Sequence, residues 1–305
     1  MKDAADWYDT HVLKTLSCLV EHKLDELATI IAQLPGNMGG FGLRSQTEIS
    51  EYAHECVFAD KGEQHRQTQE ADKLRQSSLF LSLSGLEKAI VTAGSAPGAA
   101  RPLTDPTLDL SDRAWLIYAR QRLLIPVLPH GSKCVCGSLA TNDHVNVCPR
   151  IVKLWRHDEV VQEIDVGLRA VGKTTHVEPL AAPGSSKARP DLRCEDNVID
   201  AMITYPGKAA LAHRAPSVLA AAQLAGNHKK TKWGKWATAR ALNFAPFVVE
   251  STGGFLEDSR RWLRTALGDS DTPITISSTF NFITGRVLRA TLHGAVGLFA
   301  AAAGG

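Results

Sequence analysis

Net charge is nearly absent from this 305-residue chain: 34 lysines and arginines stand against 32 acids, leaving +2. A polycation that coats nucleic acid by bulk charge is excluded, so any phosphate-binding surface must come from local clustering. Long apolar runs are missing too. The most apolar segment, residues 294–305, is a short stretch of Ala, Gly, Val, Leu and Phe that reads as a terminal helix rather than an anchor. Met1-Lys2-Asp3 opens no signal-peptide core. Without an export signal, six cysteines argue for reduced thiols rather than a disulfide framework. These absences point to an intracellular protein that meets no membrane. At 44 % hydrophobic and 22 % charged residues the composition is that of an ordinary globular protein, long enough for one large domain or two of common size. No internal repeat is found.

What is present begins with helical periodicity. Val12, Leu16, Leu19, Val20, Leu24, Leu27, Ile30 and Ile31 predict a helix over 5–33 with a break near His22, stopped by Pro35 and Gly36. The glycine-dense loop 35–45 lacks the lysine of a P-loop and follows no strand, so phosphate cradling of that kind is excluded. Helices are expected at 45–58 and 62–86, a Gly/Pro-rich linker at 94–112, and a helix at 112–124 capped by Ser111. Then the period changes. A helix at 150–171, with Val152, Leu154, Trp155, Val160, Val161, Ile164, Leu168 and Val171 sharing a buried face, precedes strands at 174–180, 189–194 and 198–205. An Ala-rich helix at 209–242, a strand at 244–251 and helices at 255–267 and 279–303 follow. The order predicts an α/β (α+β) fold, a mixed sheet flanked by helices. The expected divisions are a helical region (1–93), a linker with a short helix (94–133), a knuckle (134–149), a sheet-bearing domain (150–268) and a helical extension (269–305).

Cys134, Cys136, His144 and Cys148 lie within fifteen residues, three sulfurs and one nitrogen. Zinc wants four such ligands in a tetrahedron, and Gly137 permits the tight turn that two near-adjacent ligands need. The alternative is three small buried thiols beside a surface histidine. With all four positions filled by protein, a zinc ion here would be structural.

Arg189-Pro190-Asp191-Leu192 and, nine residues past Asp191, Asp200 resemble the core of PD-(D/E)xK nucleases. There, carboxylates on two paired strands hold magnesium or manganese, which activates water and offsets charge on the phosphate. Glu195-Asp196-Asn197 supplies the turn between them. Asp200 is the more telling residue, because a carboxylate within Val198-Ile199 and Ala201-Met202-Ile203 needs a partner or a metal. Glu178 is a further candidate metal ligand, and Glu163 a weaker one. The strict motif also asks for a lysine two residues past the second carboxylate, where Met202 stands. Lys229, Lys230, Lys232 and Lys235 on the next helix offer substitutes, with Lys229, Lys232 and Trp236 placed near one helical face.

The order of these motifs resembles the C-terminal part of non-LTR (LINE-like) retrotransposon proteins, which carry a restriction-like endonuclease downstream of reverse transcriptase. The residues that carry the resemblance are Gly39-Gly40-Phe41-Gly42-Leu43-Arg44-Ser45, Cys134-Val135-Cys136-Gly137, His144, Cys148-Pro149 and Arg156-His157-Asp158-Glu159-Val160. Glu178-Pro179, Arg189 to Leu192, Asp200 to Pro206, Lys229, Lys232-Trp233 and Val249 to Gly253 continue it, so that it spans residues 35–265. The resemblance implies that Asp191 and Asp200 are metal-binding catalytic carboxylates, that Lys229 or Lys232 is the displaced lysine, that the knuckle binds zinc and that residues 1–93 are thumb-like. It implies a DNA endonuclease, located in the nucleus, that nicks one strand so that the exposed 3′ end primes reverse transcription. Lys230, Lys235, Arg260, Arg261 and Arg264 would neutralise phosphates of DNA or RNA, and Trp233 and Trp236 would stack on bases. No small-molecule cofactor is expected. Trp233 and Ala201 replace the family's usual tyrosine and valine, and no Tyr-x-Asp-Asp polymerase signature occurs, so polymerisation by this chain is excluded. The alternative expectation is a catalytically inactive, nucleic-acid-binding remnant.

Overall fold

The structure is a computed structural model that describes residues 2–55, 61–178, 189–208, 211, 213, 215–267 and 273–304. The amphipathic N-terminus forms two helices, α1 (Lys2–Leu19) and α2 (Glu26–Gln33), separated where Glu21 takes a left-handed φ of 49°. Asp25 restarts the helix, its carboxylate accepting from the Ala28 N–H at 2.8 Å. Next come α3 (Gln46–Glu55), α4 (Lys61–Ser82) and α5 (Gly85–Gly94). The last of these was not foreseen; a capping box between Ser84 and Glu87 starts it. Leu16, Val20, Ile31, Leu34, Leu79, Val91, Leu116 and Leu123 form the core of this helical region.

The expected linker is packed. It holds α6 (Arg101–Thr104) and buries Ala96, Ala99 and Leu108, and Tyr118 and Arg122 of α7 (Asp112–Arg122) both donate to the Ala99 carbonyl. The knuckle contains α8 (Asn142–Val147).

Helix α9 (Leu154–Ala170) leads into β1 (Thr175–Val177), β2 (Leu192–Cys194) and β3 (Asn197–Thr204). Helix α10 (Ala220–Thr238) crosses over to β4 (Asn243–Glu250), and α11 (Glu257–Leu267) and α12 (Pro273–Ala303) follow. The four strands form one mixed sheet in the order β1-β2-β3-β4, antiparallel except for β3 and β4, which run parallel as a helical crossover requires. A two-residue turn at Glu195-Asp196, with Glu195 at φ 54°, joins β2 to β3 where the sequence placed it. The 189–194 strand shortens to three residues, and positions 179–188 of the expected first strand and its loop lie outside the described residues.

Alternation along β3 sorts its residues between two layers. Ile199 and Ala201 join Leu192, Phe247 and Val249 in a core closed by α9, α11 and α12. Met202 and Val248 pack on Ala222 and Ala225 of α10. Only Val160, Val161, Ile164 and Leu168 of the expected α9 face are buried; Val152 and Leu154 are exposed, because the helix begins at Leu154 and its first turn points outward. Among the described residues, no helix is long and apolar enough to cross a membrane.

Candidate functional site

The four knuckle ligands converge. Their ligand atoms all lie within 4.8 Å of one another, with Cys134 and Cys148 sulfurs 3.7 Å apart and the Cys136 sulfur 3.1 Å from His144 Nε2. A tetrahedron with Zn–S bonds of about 2.3 Å has S···S edges of about 3.8 Å, so the donor set fits zinc in kind and in spacing. Local chemistry builds the site. Gly137 adopts a φ of 89°, and its N–H closes the turn onto the Cys134 carbonyl at 2.7 Å. Thr141 caps α8 by accepting from the His144 N–H, and Cys148 ends that helix. Hydrogen bonding from Ser138 brings the Cys136 thiol down to about 6, toward the thiolate a metal needs. The knuckle is anchored by Val145, Ile151, Leu128 and the α12 residues Leu298 and Phe299.

The second site lies at β2, β3 and α10. Asp200 is 3 % exposed, and Lys229 Nζ sits 2.5 Å from its Oδ2. Asp191 directly precedes β2, and its N–H donates to the Ile199 carbonyl at 3.0 Å, which sets it beside Asp200. The Asp191 Oδ2 accepts from the Ala201 N–H at 2.6 Å and lies 3.0 Å from His157 Nε2. Burial first, then the charge of Asp191, pushes Asp200 up, against the pull of Lys229. Burial also works to raise Asp191, but the hydrogen bond and charge of His157, the Ala201 N–H and Lys229 together hold it below its ordinary value. His157 is raised to about 9, chiefly by its hydrogen bond to Asp191. Two neighbouring carboxylates suit a hard cation that takes its other ligands from water and phosphate oxygens, as magnesium does. No third acidic ligand joins them among the described residues. A cleft of about 240 Å³ runs beside the pair, lined by Asn146, Lys153, Arg156, Thr204, Lys229 and Ser251 among others.

Other expected site residues land elsewhere. Lys232 is exposed, with its ammonium 4.4 Å from the Trp233 ring centre rather than at a carboxylate. Trp233 is 2 % exposed and therefore cannot stack on a base; its indole N–H lies near enough to Asp200 to favour the ionised form without closing an aligned hydrogen bond. Glu178 turns away to pair with Arg189, and Glu163 pairs with Arg286. Lys230 pairs with Asp258 at 2.7 Å, while Lys235, Arg261 and Arg264 are exposed on α10 and α11. Arg260 and Arg264 lie over the Phe280 ring, and Trp236 stands edge-on to Trp233 beneath Arg240. His157 was missing from the expected site. Its only sequence signal was its place in Arg156-His157-Asp158, which the resemblance quoted without a role.

Fold and site together define the class: a mixed α/β protein with a Cys₃His metal-binding group suited to zinc and a buried carboxylate–lysine pair. No family model matches the chain. It is similar to the 132 kDa protein of the retrotransposable element SLACS from Trypanosoma brucei gambiense, 36 % identical over 313 aligned residues that cover 98 % of this chain and 26 % of that relative. The chain is thus related to a retroelement protein and spans about a quarter of its length.

Proposed function

We propose that this chain is a metal-dependent DNA endonuclease domain of a retroelement protein, nicking DNA by phosphodiester hydrolysis to prime reverse transcription in the full element. The observation that carries the reading is Lys229 Nζ held 2.5 Å from a buried Asp200 that feels the charge of neighbouring Asp191. Asp191 and Asp200 would hold magnesium or manganese, which supplies an activated water and offsets phosphate charge. Lys229 replaces the lysine absent at Met202 and stands where it orders the attacking water and offsets negative charge. His157 and the Ala201 N–H fix the Asp191 carboxylate. Lys230, Lys235, Arg260, Arg261 and Arg264 on α10 and α11 provide the charge that takes up DNA phosphates. The relationship to a retroelement protein supports a nucleic-acid role; a nuclear location belongs to the proposal.

A second reading has its own observation. Both carboxylates already hold protein cations, Asp200 through Lys229 and Asp191 through His157, an arrangement that suits a relic which binds without cutting. A supercoiled-plasmid assay with magnesium or manganese decides between them. The endonuclease reading expects open circles from the native chain and none from Asp200→Ala; salt-sensitive binding without nicking by either would leave the relic.

A further inference from the structure

The cleft beside the carboxylates has a wall that the proposed chemistry does not use. Arg156, at the start of α9, is 5 % exposed. Its Nε donates to the Thr291 carbonyl at 3.1 Å, while its buried Nη2 has no partner. Its aliphatic stem is pressed against α12 so closely that a Cβ on Gly294 would come within 2.3 Å of Arg156 Cγ. The Thr204 and Ser251 hydroxyls, which line the same cleft, are also buried without a hydrogen-bond partner. Lys153 completes the wall; it spends one N–H on the Cys148 carbonyl at 3.0 Å. Among the described residues neither Lys153 nor Arg156 pairs with a carboxylate; Lys153 is drawn to the Cys148 thiolate and repelled by Arg156 and Lys208.

A buried guanidinium without a counter-charge is costly, as are buried hydroxyls without a partner. A guanidinium, an ammonium and two hydroxyls, lining one cleft with no acid among its lining, offer donors to a tetrahedral oxyanion. We propose that this cleft is a phosphate subsite, which takes a backbone phosphodiester of the bound strand next to the one held at Asp191 and Asp200. Asn146 of α8, between His144 and Cys148 in sequence, also lines the cleft, so the metal knuckle would border the path of the strand. The inference rests on the nucleic-acid-binding half of the proposed function and is independent of cutting.

The test is binding of a fluorescent duplex oligonucleotide by the zinc-loaded chain in buffer without magnesium or manganese, measured by anisotropy over a potassium chloride series. Lys153→Gln should weaken binding several-fold and shrink the log–log salt slope by about 1, the signature of one lost phosphate contact. Ser251→Ala should weaken binding with no change of slope, because it removes a neutral donor. Arg156 is buried and its loss endangers folding, so the partly exposed Lys153 carries the test. Unchanged affinity and slope in Lys153→Gln would overturn the subsite, as would a native chain that binds no duplex. Inorganic phosphate serves as the second probe: thermal stabilisation of the native chain by phosphate, with an unaltered DNA slope in Lys153→Gln, would mark a free-anion site and also overturn it. A nicking failure accompanied by the expected slope change would sink the endonuclease reading and leave the subsite standing.

Discussion

At the residue scale one buried charge pair, Asp200 with Lys229, decides the site. Asp200 was legible because an acid between Ile199 and Ala201 in an apolar strand has to be paid for by a partner. The identity of that partner was not legible. Helix phase decides it: Ala222, Ala225 and Gly226 are the small residues that let α10 lie on the sheet, and Lys229 and Trp233 follow on that face while Lys232 turns to solvent. Lys229→Met should therefore cost about 3 to 5 kcal/mol in urea unfolding, because it strands a buried carboxylate. Lys232→Met should stay within about 0.5 kcal/mol. Equal losses would contradict the pairing. The role of His157 could not be read from sequence, because it reaches Asp191 across 34 positions. Its raised value, about 9 against an ordinary 6.5, means that its contribution is whole below about pH 6.5 and fades as pH climbs through 9. Asp191, held below its ordinary 3.8, contributes above that value and loses its contribution as pH falls further. In buffer without magnesium or manganese, the stability deficit of His157→Gln should be widest between these limits and close above pH 9. The same deficit at about pH 5.5 and 9.5 would refute the ion pair.

At the scale of elements, the boundaries that sequence placed well are those set by local chemistry. The β2–β3 turn and the Ser111-capped helix α7 depend on nearest neighbours alone. Helix α8 was hidden, because six residues among metal ligands carry no period to read; Thr141 and the convergence of the thiolates make it. The packed 94–112 segment looked like a linker because its many small residues give no periodic signal, yet smallness is what lets Ala96 and Ala99 lie buried beneath Tyr118 and Arg122. The knuckle shares its core with α12 through Ala295, Leu298, Phe299 and Ala302. Cys148→Ser should consequently loosen more than the knuckle, since zinc binding and folding are one free energy in such modules. Hydrogen exchange at residues 295–302 should speed up in that variant, and unchanged protection there would show the two elements to be independent.

At the scale of the whole molecule, the succession of helices and strands from residue 150 onward could be read from period and spacing, and it yields the mixed sheet observed. Which elements meet could not. That α12 returns to cover α9, α7 and the knuckle depends on close approaches such as Gly294 against Arg156, which no local pattern announces. The return matters, because it places the metal knuckle and the sheet on one cleft, with a Tyr205–Asp143 hydrogen bond of 2.6 Å tying the end of β3 to α8. The central claim is that Asp191, Asp200 and Lys229 form a single hydrolytic centre in this assembly. Plasmid nicking by the zinc-loaded chain with magnesium, compared between Lys229→Gln and Lys232→Gln, tests it most directly. A loss of at least about 100-fold is expected for Lys229→Gln, and native rates for Lys232→Gln. Equal rates for the two variants, or no nicking by the folded native chain, would contradict it.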